Sequence, residues 1–466
     1  MKKSLLLSAA LLAGASSAFA VVENATYDAI DGYTFRNVVI NSYGHFGVPT
    51  EAEYGTWKSL ESNFASYDYV ASATVLGDKV YVATSKQLEG DALVDKGALG
   101  VFDAATGDFI KMIKLTVNGA DLEGLLCANQ VMHDDFGHLI VVGYKGTAFS
   151  ETGTNPIKPY LVDPETGACT LVADLELTED DRVYSGRTDF YDCVGDITRK
   201  EARCVFMTAA QGGENKSIYA WKSEQGESDW SAHLVGEEYL AFAVEETFPV
   251  MEGVFNGGTV ISILPDDEYS GSMFYVDDMN CYPALYNSEC GLIDSFASVP
   301  TTDEGKALYP ATNPNGAVEV TVGDATFFIY PFEEYGSQDG SAMSRARVTK
   351  YGTVGDMSTL SQCWDFPANG LGEHKGAGRR GHMLEAEKVT DENGKEGAYI
   401  FTYKAGNGFA RFLLAEPGFT AGVEDAIVSD ENAPVEYFNL QGIRVANPEN
   451  GVYIRRQGAK ATKVVL

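Results

Sequence analysis

A cluster of basic side chains in "EHKGAGRRGHM" is the first feature whose residue types could do chemistry. It places His374, Lys375, Arg379, Arg380 and His382 within nine positions of a chain whose formal net charge is -33. A planar guanidinium donates two parallel hydrogen bonds to a carboxylate or a sulfate. The cluster therefore predicts a ligand-binding site. The alternative is that Arg379 and Arg380 neutralise neighbouring carboxylates and hold adjacent elements together.

Two other polar segments are expected to face this cluster. They are "SGRTDFYD", with Arg187 and Asp189, and "CANQVM", with Asn129 and Gln130. Both occupy equivalent places in a repeating unit, so their loops converge at one mouth if the repeats form a ring. The predicted ligand site comprises Arg379, Arg380, His382, Arg187, Asp189, Asn129 and Gln130.

Motifs for catalysis or cofactor binding are missing from the sequence. It contains no G-x-S-x-G, H-E-x-x-H, P-loop or G-x-G-x-x-G pattern. The chain has 67 Asp and Glu residues, and no pair among them is marked by sequence as an acid and base for glycan cleavage. We therefore predict no catalytic residue and no cofactor.

Two turns carry residue types that could bind a metal ion. His133 and His138 bracket "DDFG", and "DENGKEG" at 391–397 carries acids that would suit calcium, the cation that best fits an acidic exported protein. The spacing matches neither a zinc site nor a full calcium loop. Ordinary turn chemistry is the preferred interpretation of both, so no metal ligand is predicted.

The ends of the chain predict its destination. "MKKSLLLSAALLAGASSAFA" has two lysines, an apolar run and Ala-Phe-Ala, the pattern of a secretory signal peptide at residues 1–20. We expect export and no transmembrane segment. The acidic surface makes nucleic-acid binding improbable. An oxidising route makes disulfides feasible, and the candidates flank short loops: Cys193 with Cys204, and Cys281 with Cys290.

The elements that position these residues are read from internal repeats. "KGALGVFDAATGDFIKMIKL" is echoed by "IKPYLVDPETGACTLVADLEL", each with D-x-x-T-G between two strands. Each echo follows a strand, turn and β-branched strand, which makes a four-stranded unit. Such units in series predict an all-β propeller of about six blades over residues 21–420. A pair of β-sandwiches is the rival architecture.

The sequence also predicts two details of the propeller. The aromatic segment at 25–60 is expected to supply a strand that closes the ring against the last blade. The fourth blade is assigned to "FPVMEGVFNGGTVISIL" with "GSMFYVDDMNCYPALYN". Helical periodicity is nearly absent from the chain after residue 20.

The tail differs in charge from the rest. Residues 421–434 form an acidic linker, and residues 435–466 carry five Lys and Arg against two Glu, a local charge of +3. The tail is expected to form three short strands, too few to bury a core alone.

The tail resembles the C-terminal sorting domain of cargo for the type IX, or Por, secretion system. The resemblance rests on Gly442, Val445, Gly451, Tyr453, Lys460 and Lys463, and covers only these final residues. It implies that export machinery recognises this module and carries the protein through the periplasm to the outer-membrane surface or medium. An upstream P-N-P segment of the family pattern is replaced here by "DENAPVEYF". The body resembles uncharacterised secreted propeller-like proteins.

The sequence leaves three functions open. The preferred one is a non-catalytic propeller that binds a glycan, peptide or partner protein at its channel mouth. The second is a polysaccharide-active hydrolase or lyase, which would use paired carboxylates. The third is a structural component of a surface or matrix.

Overall fold

The computed structural model describes residues 27–42, 72–89, 92–124, 126–143, 149–150, 153–154, 156–176, 187–212, 215–236, 260–278, 281–289, 291–295, 316–333, 344–368, 370–371, 382–404, 408–420, 435–438, 444–445, 452–457 and 460–465. Within these ranges the only helix is a 3₁₀ turn at Met357–Thr359. No described helix has the length and hydrophobicity needed to cross a bilayer.

The strands fall into six antiparallel blades. β1 (Thr34–Ser42) comes first in the chain. Blade 1 contains β2 (Ala73–Leu76), β3 (Lys79–Thr84), an inserted hairpin of β4 (Gln87–Glu89) and β5 (Ala92–Val94), then β6 (Ala98–Asp103) and β7 (Phe109–Lys114). A small hairpin, β8 (Thr116–Val117) and β9 (Ala120–Asp121), adds to the outer edge of the next blade. Blade 2 contains β10 (Gln130–His133), β11 (Leu139–Val142), the hairpin β12 (Phe149–Ser150) and β13 (Gly153–Thr154), then β14 (Pro159–Val162) and β15 (Ala168–Leu171).

The remaining blades are simpler. Blade 3 contains β16 (Arg187–Gly195), β17 (Cys204–Gly212), β18 (Asn215–Ser223) and β19 (Ser231–Gly236). Blade 4 contains β20 (Val260–Ile263), β21 (Met273–Asp278), β22 (Cys281–Asn287) and β23 (Leu292–Ser295). Blade 5 contains β24 (Val318–Val322), β25 (Ala325–Glu333), β26 (Ser344–Lys350) and β27 (Ser361–Phe366). Blade 6 contains β28 (His382–Thr390), β29 (Glu396–Lys404), β30 (Gly408–Ala415) and β1.

Ring closure depends on the first strand of the chain. β1 pairs antiparallel with β30, from Thr34 opposite Ala415 to Ser42 opposite Gly408. The outermost strand of blade 6 is therefore supplied by the N-terminal region, whereas its three inner strands come from residues 382–415. The predicted closing strand is confirmed.

Six apolar clusters lie between consecutive blades and establish their circular order. Each contains buried side chains from two neighbouring blades. Representative pairs are Leu99 with Val131 (blades 1 and 2), Ile140 with Phe206 (2 and 3), Val205 with Phe274 (3 and 4), Tyr275 with Phe328 (4 and 5), Ile329 with Ile400 (5 and 6), and Phe409 with Val80 (6 and 1). Burial of these faces is the main driving force for blade association. The predicted six-bladed, all-β propeller is confirmed, and the pair of sandwiches is excluded.

Blade 4 departs from its predicted boundaries. β20 at Val260–Ile263 is the innermost described strand, and β23 at Leu292–Ser295 supplies the outer edge. The sequence interpretation omitted β23, and the first part of its predicted blade, residues 248–259, lies outside the described residues. β23 alternates poorly, with Ile293 exposed and Ser295 buried, so periodicity did not mark it.

The tail forms a separate sheet of four strands. These are β31 (Val435–Phe438), β32 (Arg444–Val445), β33 (Val452–Gln457) and β34 (Lys460–Val465), in the order β32-β31-β33-β34. The prediction of three strands is wrong because "EYFNLQGIRV" folds back on itself, with Tyr437 opposite Val445. Of the sorting-motif residues, Val445 lies in β32, Tyr453 in β33, and Lys460 and Lys463 in β34. Gly442 and Gly451 lie outside the described residues.

Candidate active site

The innermost strands enclose a cavity at the propeller axis. This axial cavity has a volume of about 210 Å³ and is lined by residues of β10, β16, β20, β24 and β28 and the turns next to them. A second, side cavity of about 350 Å³ lies towards β28, β29 and the turns after β2 and β10. The two share His133, Asp134, Asp135, Glu385 and Ala386. Acidic residues from several blades therefore line these two adjacent cavities.

Asp192, in the middle of β16, is the most perturbed acid of the axial cavity. Its carboxylate accepts hydrogen bonds from the backbone N–H of Ile263, at 2.6 Å, and of Cys193, at 2.9 Å. Burial raises the pKa of Asp192 to about 7, and the negative charges of Asp135 and Glu385 add to the rise. A carboxyl group in this range is partly protonated near neutral pH and can donate a proton.

Glu385, on β28, is the second half-buried acid in the cavity wall. Its Oε2 accepts a hydrogen bond from the backbone N–H of Val75 at 2.9 Å. Burial raises the pKa of Glu385 above its ordinary value, and the nearby His133 opposes that rise. His133 is itself within 2.8 Å of the Thr74 hydroxyl through Nδ1. Glu385 lies on blade 6 and Asp192 on blade 3, so the two acids approach the axis from opposite sides of the ring.

Glu319, on β24, is a third acid of the axial cavity. The Tyr275 hydroxyl donates to Glu319 Oε2 at 2.7 Å and lies 3.1 Å from the Tyr351 hydroxyl. Burial raises the pKa of Glu319, although the hydrogen bond from Tyr275 lowers it. Tyr275 is completely buried, so this pair of tyrosines fixes the position of the carboxyl group from behind.

The local fold explains why acids collect here. An innermost strand has one edge without a strand partner inside its own sheet, and its backbone N–H groups need acceptors. Asp192 bridges blade 3 to blade 4 and Glu385 bridges blade 6 to blade 1, as described above. Asp277 does the same between blades 4 and 5, accepting from the backbone N–H of Gly316 at 2.8 and 2.9 Å. Asp277 is buried and does not line the axial cavity.

The predicted mouth residues are only partly brought together. Asn129 donates through Nδ2 to the carbonyl of Asp189 at 2.7 Å. Gln130 donates to the carbonyl of Tyr191 at 2.8 Å and accepts from its N–H at 2.6 Å. These side chains are buried and join blade 2 to blade 3, and Gln130 also lines the axial cavity.

The structure does not describe the side chains of the basic members of that predicted site. Arg379 and Arg380 lie outside the described residues. Arg187 and His382 occupy the first positions of β16 and β28, and only their backbone is described. A ligand role for these four residues stays a prediction.

The turn chemistry proposed for the metal candidates agrees with the described contacts. Asp134, His138 and Asp196 place one ligand atom each within 4.8 Å of one another. However, Asp134 Oδ1 accepts the N–H groups of Phe136 and His138, and Asp196 accepts those of Thr198, Lys200 and Glu201. The carboxylates are already engaged by backbone donors, as expected of turn residues.

The calcium candidate at 391–397 is engaged in the same way. Asp391 accepts the N–H groups of Asn393 and Lys395, and both the N–H and the hydroxyl of Thr420, all at 2.8 Å. Its carboxylate therefore connects the β28–β29 turn to the segment that follows the propeller.

The first disulfide candidate is not formed in this structure. Cys193 and Cys204 are buried free thiols in contact across β16 and β17, and their hydrogen bond and burial raise the pKa of Cys193 well above its ordinary range. The register places Cys193 opposite Phe206 and Cys204 opposite Gly195. The cysteines are thus diagonal neighbours rather than directly opposite, where Cβ atoms approach most closely. Of the second pair, Cys281 begins β22 and Cys290 lies outside the described residues.

Comparisons with known proteins support the fold. No protein-family model and no curated protein sequence matches the chain. Among solved structures, a DUF4623 family protein from Bacteroides eggerthii is similar, with a TM-score of 0.51, 14% identity, and coverage of 76% of this chain and 72% of that one. This likeness supports the propeller.

Two looser neighbours have stated activities. A GH93 α-L-arabinofuranosidase of Fusarium graminearum aligns with a TM-score of 0.40 and 12% identity, covering 75% of this chain and 93% of that one. A polysaccharide lyase of family PL25, an ulvan lyase, aligns with a TM-score of 0.33 and 8% identity, covering 88% of this chain and 94% of that one. Both are enzymes that act on glycans. The preference for a non-catalytic binding propeller is corrected in favour of the hydrolase or lyase alternative, because Asp192, Glu319 and Glu385 line one axial cavity and burial raises the pKa of all three. The alignments themselves assign no reaction to this chain.

Proposed function

We propose that this protein is a glycoside hydrolase whose reaction takes place in the axial cavity. The observation that carries the proposal is the pair of Asp192 and Glu385. They reach one cavity from opposite blades, and burial raises the pKa of both. Glycosidases generally place two carboxyl groups on either side of the bond they cleave.

The two acids suit different roles. Asp192, with a pKa of about 7, is the general acid that protonates the leaving-group oxygen. Glu385 is held by the backbone N–H of Val75 at 2.9 Å and by the Thr74 side chain, which orient the carboxyl group that acts on water or on the sugar carbon. Glu319, fixed by Tyr275, contributes negative charge that stabilises a developing oxocarbenium ion.

Hydrolysis is favoured over elimination. A lyase acting on a uronic acid needs a cation to neutralise the sugar carboxylate while a base removes the adjacent proton. Among the described residues that line the axial cavity there is no Lys or Arg, and five acids are present: Asp134, Asp135, Asp192, Glu319 and Glu385. Lys388 and Arg411 line the side cavity and not the axial one. Such a wall accepts the hydroxyl groups of a neutral sugar and repels an anionic one.

The test is release of reducing ends from a panel of neutral and uronic polysaccharides, including an arabinan and an ulvan. We expect activity of the wild type on a neutral member, and a loss of at least about a hundredfold in kcat for Asp192→Asn and for Glu385→Gln. Asp277→Asn is the matched control, because Asp277 also bridges two blades and does not line the axial cavity. Equal activity of Asp192→Asn and Asp277→Asn would refute the assignment, as would a wild type that releases no product from any member.

We also infer that the protein is exported. The N-terminal signal pattern and the tail motif that resembles type IX cargo support this inference, and polymeric glycans are met outside the cell. The test is removal of residues 435–466, which is expected to retain the protein in the periplasm. Unchanged amounts at the cell surface and in the medium would contradict it.

A further inference from the structure

A pair of aromatic side chains lies beside the rim of the axial cavity and takes no part in the reaction described above. Phe136, in the turn between β10 and β11, is 37% exposed. Its ring lies 5.7 Å from the ring of Tyr269, at an interplanar angle of 58°. Most of the large apolar residues that are exposed in the described part of the chain are not aromatic, so a large exposed ring near a cavity calls for an explanation.

The position of the pair is fixed by residues that line the cavities. Asp135 and Gly137, the neighbours of Phe136 in the chain, contribute to the cavity walls. Tyr269 belongs to the turn between β20 and β21, which begins with the cavity residues Leu264 and Pro265. The aromatic pair is therefore next in the chain to the walls of the cavities that hold Asp192 and Glu385, although neither ring lines them.

The pair is also rigid. The N–H of Phe136 donates to Asp134 Oδ1 at 3.0 Å, and Tyr269 packs on the apolar cluster between blades 3 and 4. A Cβ added to Gly195 would lie only 3.2 Å from the Cβ of Tyr269, which shows how closely blade 3 supports this turn. Turns from blades 2 and 4, backed by blade 3, thus present a fixed apolar surface.

We propose that Phe136 and Tyr269 form a sugar-binding subsite, and that the substrate is an uncharged polysaccharide whose chain extends from the axial cavity across these rings. This inference rests on the proposed function for the reaction at the cavity. Aromatic rings offer a flat apolar face that matches the C–H face of a pyranose or furanose. The acids around the pair and the net charge of -33 exclude a polyanionic chain by repulsion.

The experiment is affinity electrophoresis in gels containing arabinan, xylan or galactan as neutral probes and polygalacturonate or ulvan as anionic probes. We expect at least one neutral probe, and neither anionic one, to retard the wild type. Phe136→Ala should weaken that binding about three- to tenfold, whereas Phe136→Trp should retain it. Ile110→Ala is the matched control, since Ile110 is 47% exposed on the outer strand β7 of blade 1.

The outcomes separate this inference from the proposed function. Binding by the Phe136 and Ile110 variants is also compared in the Asp192→Asn background, so that it is measured without turnover. If Asp192→Asn loses turnover but Phe136→Ala binds the probe as tightly as Ile110→Ala, the subsite is refuted and the proposed reaction is not. If an anionic probe retards the wild type, or if no neutral probe does so, the proposed substrate class is refuted.

Discussion

The raised pKa of Asp192 predicts a pH dependence of stability that can be measured without knowing the substrate. In the folded protein its carboxyl group is enclosed by β16 and β20, and burial raises its pKa to about 7 from an ordinary value of 3.8. In the unfolded chain the group is solvated and keeps its ordinary pKa. The folded state therefore holds one more proton than the unfolded state between these two pKa values.

The sign and size follow from this proton difference. Where the folded state binds more protons, the free energy of unfolding falls as pH rises, by up to about 1.4 kcal/mol per pH unit for one group. The contribution of Asp192 is therefore most favourable below about pH 4, declines through pH 5, 6 and 7, and is flat above about pH 8. Between pH 5 and pH 7 the decline is about 2 kcal/mol, and less where cavity water screens the charge.

Asp192→Asn removes the ionisation and so removes this slope. Urea unfolding followed by tryptophan fluorescence at pH 5, 6, 7 and 8 measures the free energy of unfolding for each protein. The wild type should lose about 2 kcal/mol relative to the variant between pH 5 and pH 7. Asp192→Ala should show the same relative slope with a larger constant loss, because it leaves the N–H groups of Ile263 and Cys193 without that acceptor. Parallel curves for wild type and Asp192→Asn would show that the group is ionised normally, and the acid role would fall with it.

Two further substitutions test how the blades are joined. Gln130→Ala removes the two buried hydrogen bonds to the backbone of Tyr191 and should lower the free energy of unfolding by about 1 to 3 kcal/mol, measured by urea unfolding. No loss would mean that these two hydrogen bonds make no net contribution to joining blades 2 and 3. Gly195 and Gly226 have nearly the same positive φ, +85° and +82°, so an alanine is equally strained in the backbone at both. A Cβ at Gly195 would also lie 1.9 Å from the Arg203 carbonyl oxygen, whereas nothing lies within 4 Å of a Cβ at Gly226. Gly195→Ala should therefore lower the free energy of unfolding by at least about 2 kcal/mol more than Gly226→Ala. Equal decreases in Tm for the two alanine variants would contradict the close approach of Gly195 to the Arg203 carbonyl oxygen.

The blade pattern could be predicted because its signals are local. In the outer hairpin of blade 1, Asp103 Oδ1 accepts the N–H groups of Ala105 and Thr106, and Gly107 has a φ of +74°. Asp163 and Gly167 repeat these features in blade 2. A turn of this kind is encoded by five neighbouring residues, so its recurrence identified the repeating unit directly.

The acids of the site could not be chosen in this way because their partners are set by ring closure. Glu385 and the Val75 N–H that it accepts from are 310 residues apart, and they meet only because β28 and β2 become neighbours around the axis. Asp192 and Ile263 are 71 residues apart. Arg379 and Arg380 are conspicuous because the chain is acidic, whereas Asp192 and Glu385 are two of 67 acidic residues that no local sequence pattern singles out. Only burial, which sequence does not display, distinguishes them.

The same carboxyl groups therefore serve the fold and the proposed reaction. Each inner strand needs acceptors for the N–H groups of the next blade, and an acid supplies them while leaving lone pairs for other contacts. Where that acid is sealed between blades, as at Asp277, it can act only as a bridge. Where it borders the axial cavity, as at Asp192 and Glu385, enclosure raises its pKa while a path to a ligand remains. Closing a ring of blades around an axis thus turns a structural requirement of the innermost strands into a set of acids poised for proton transfer.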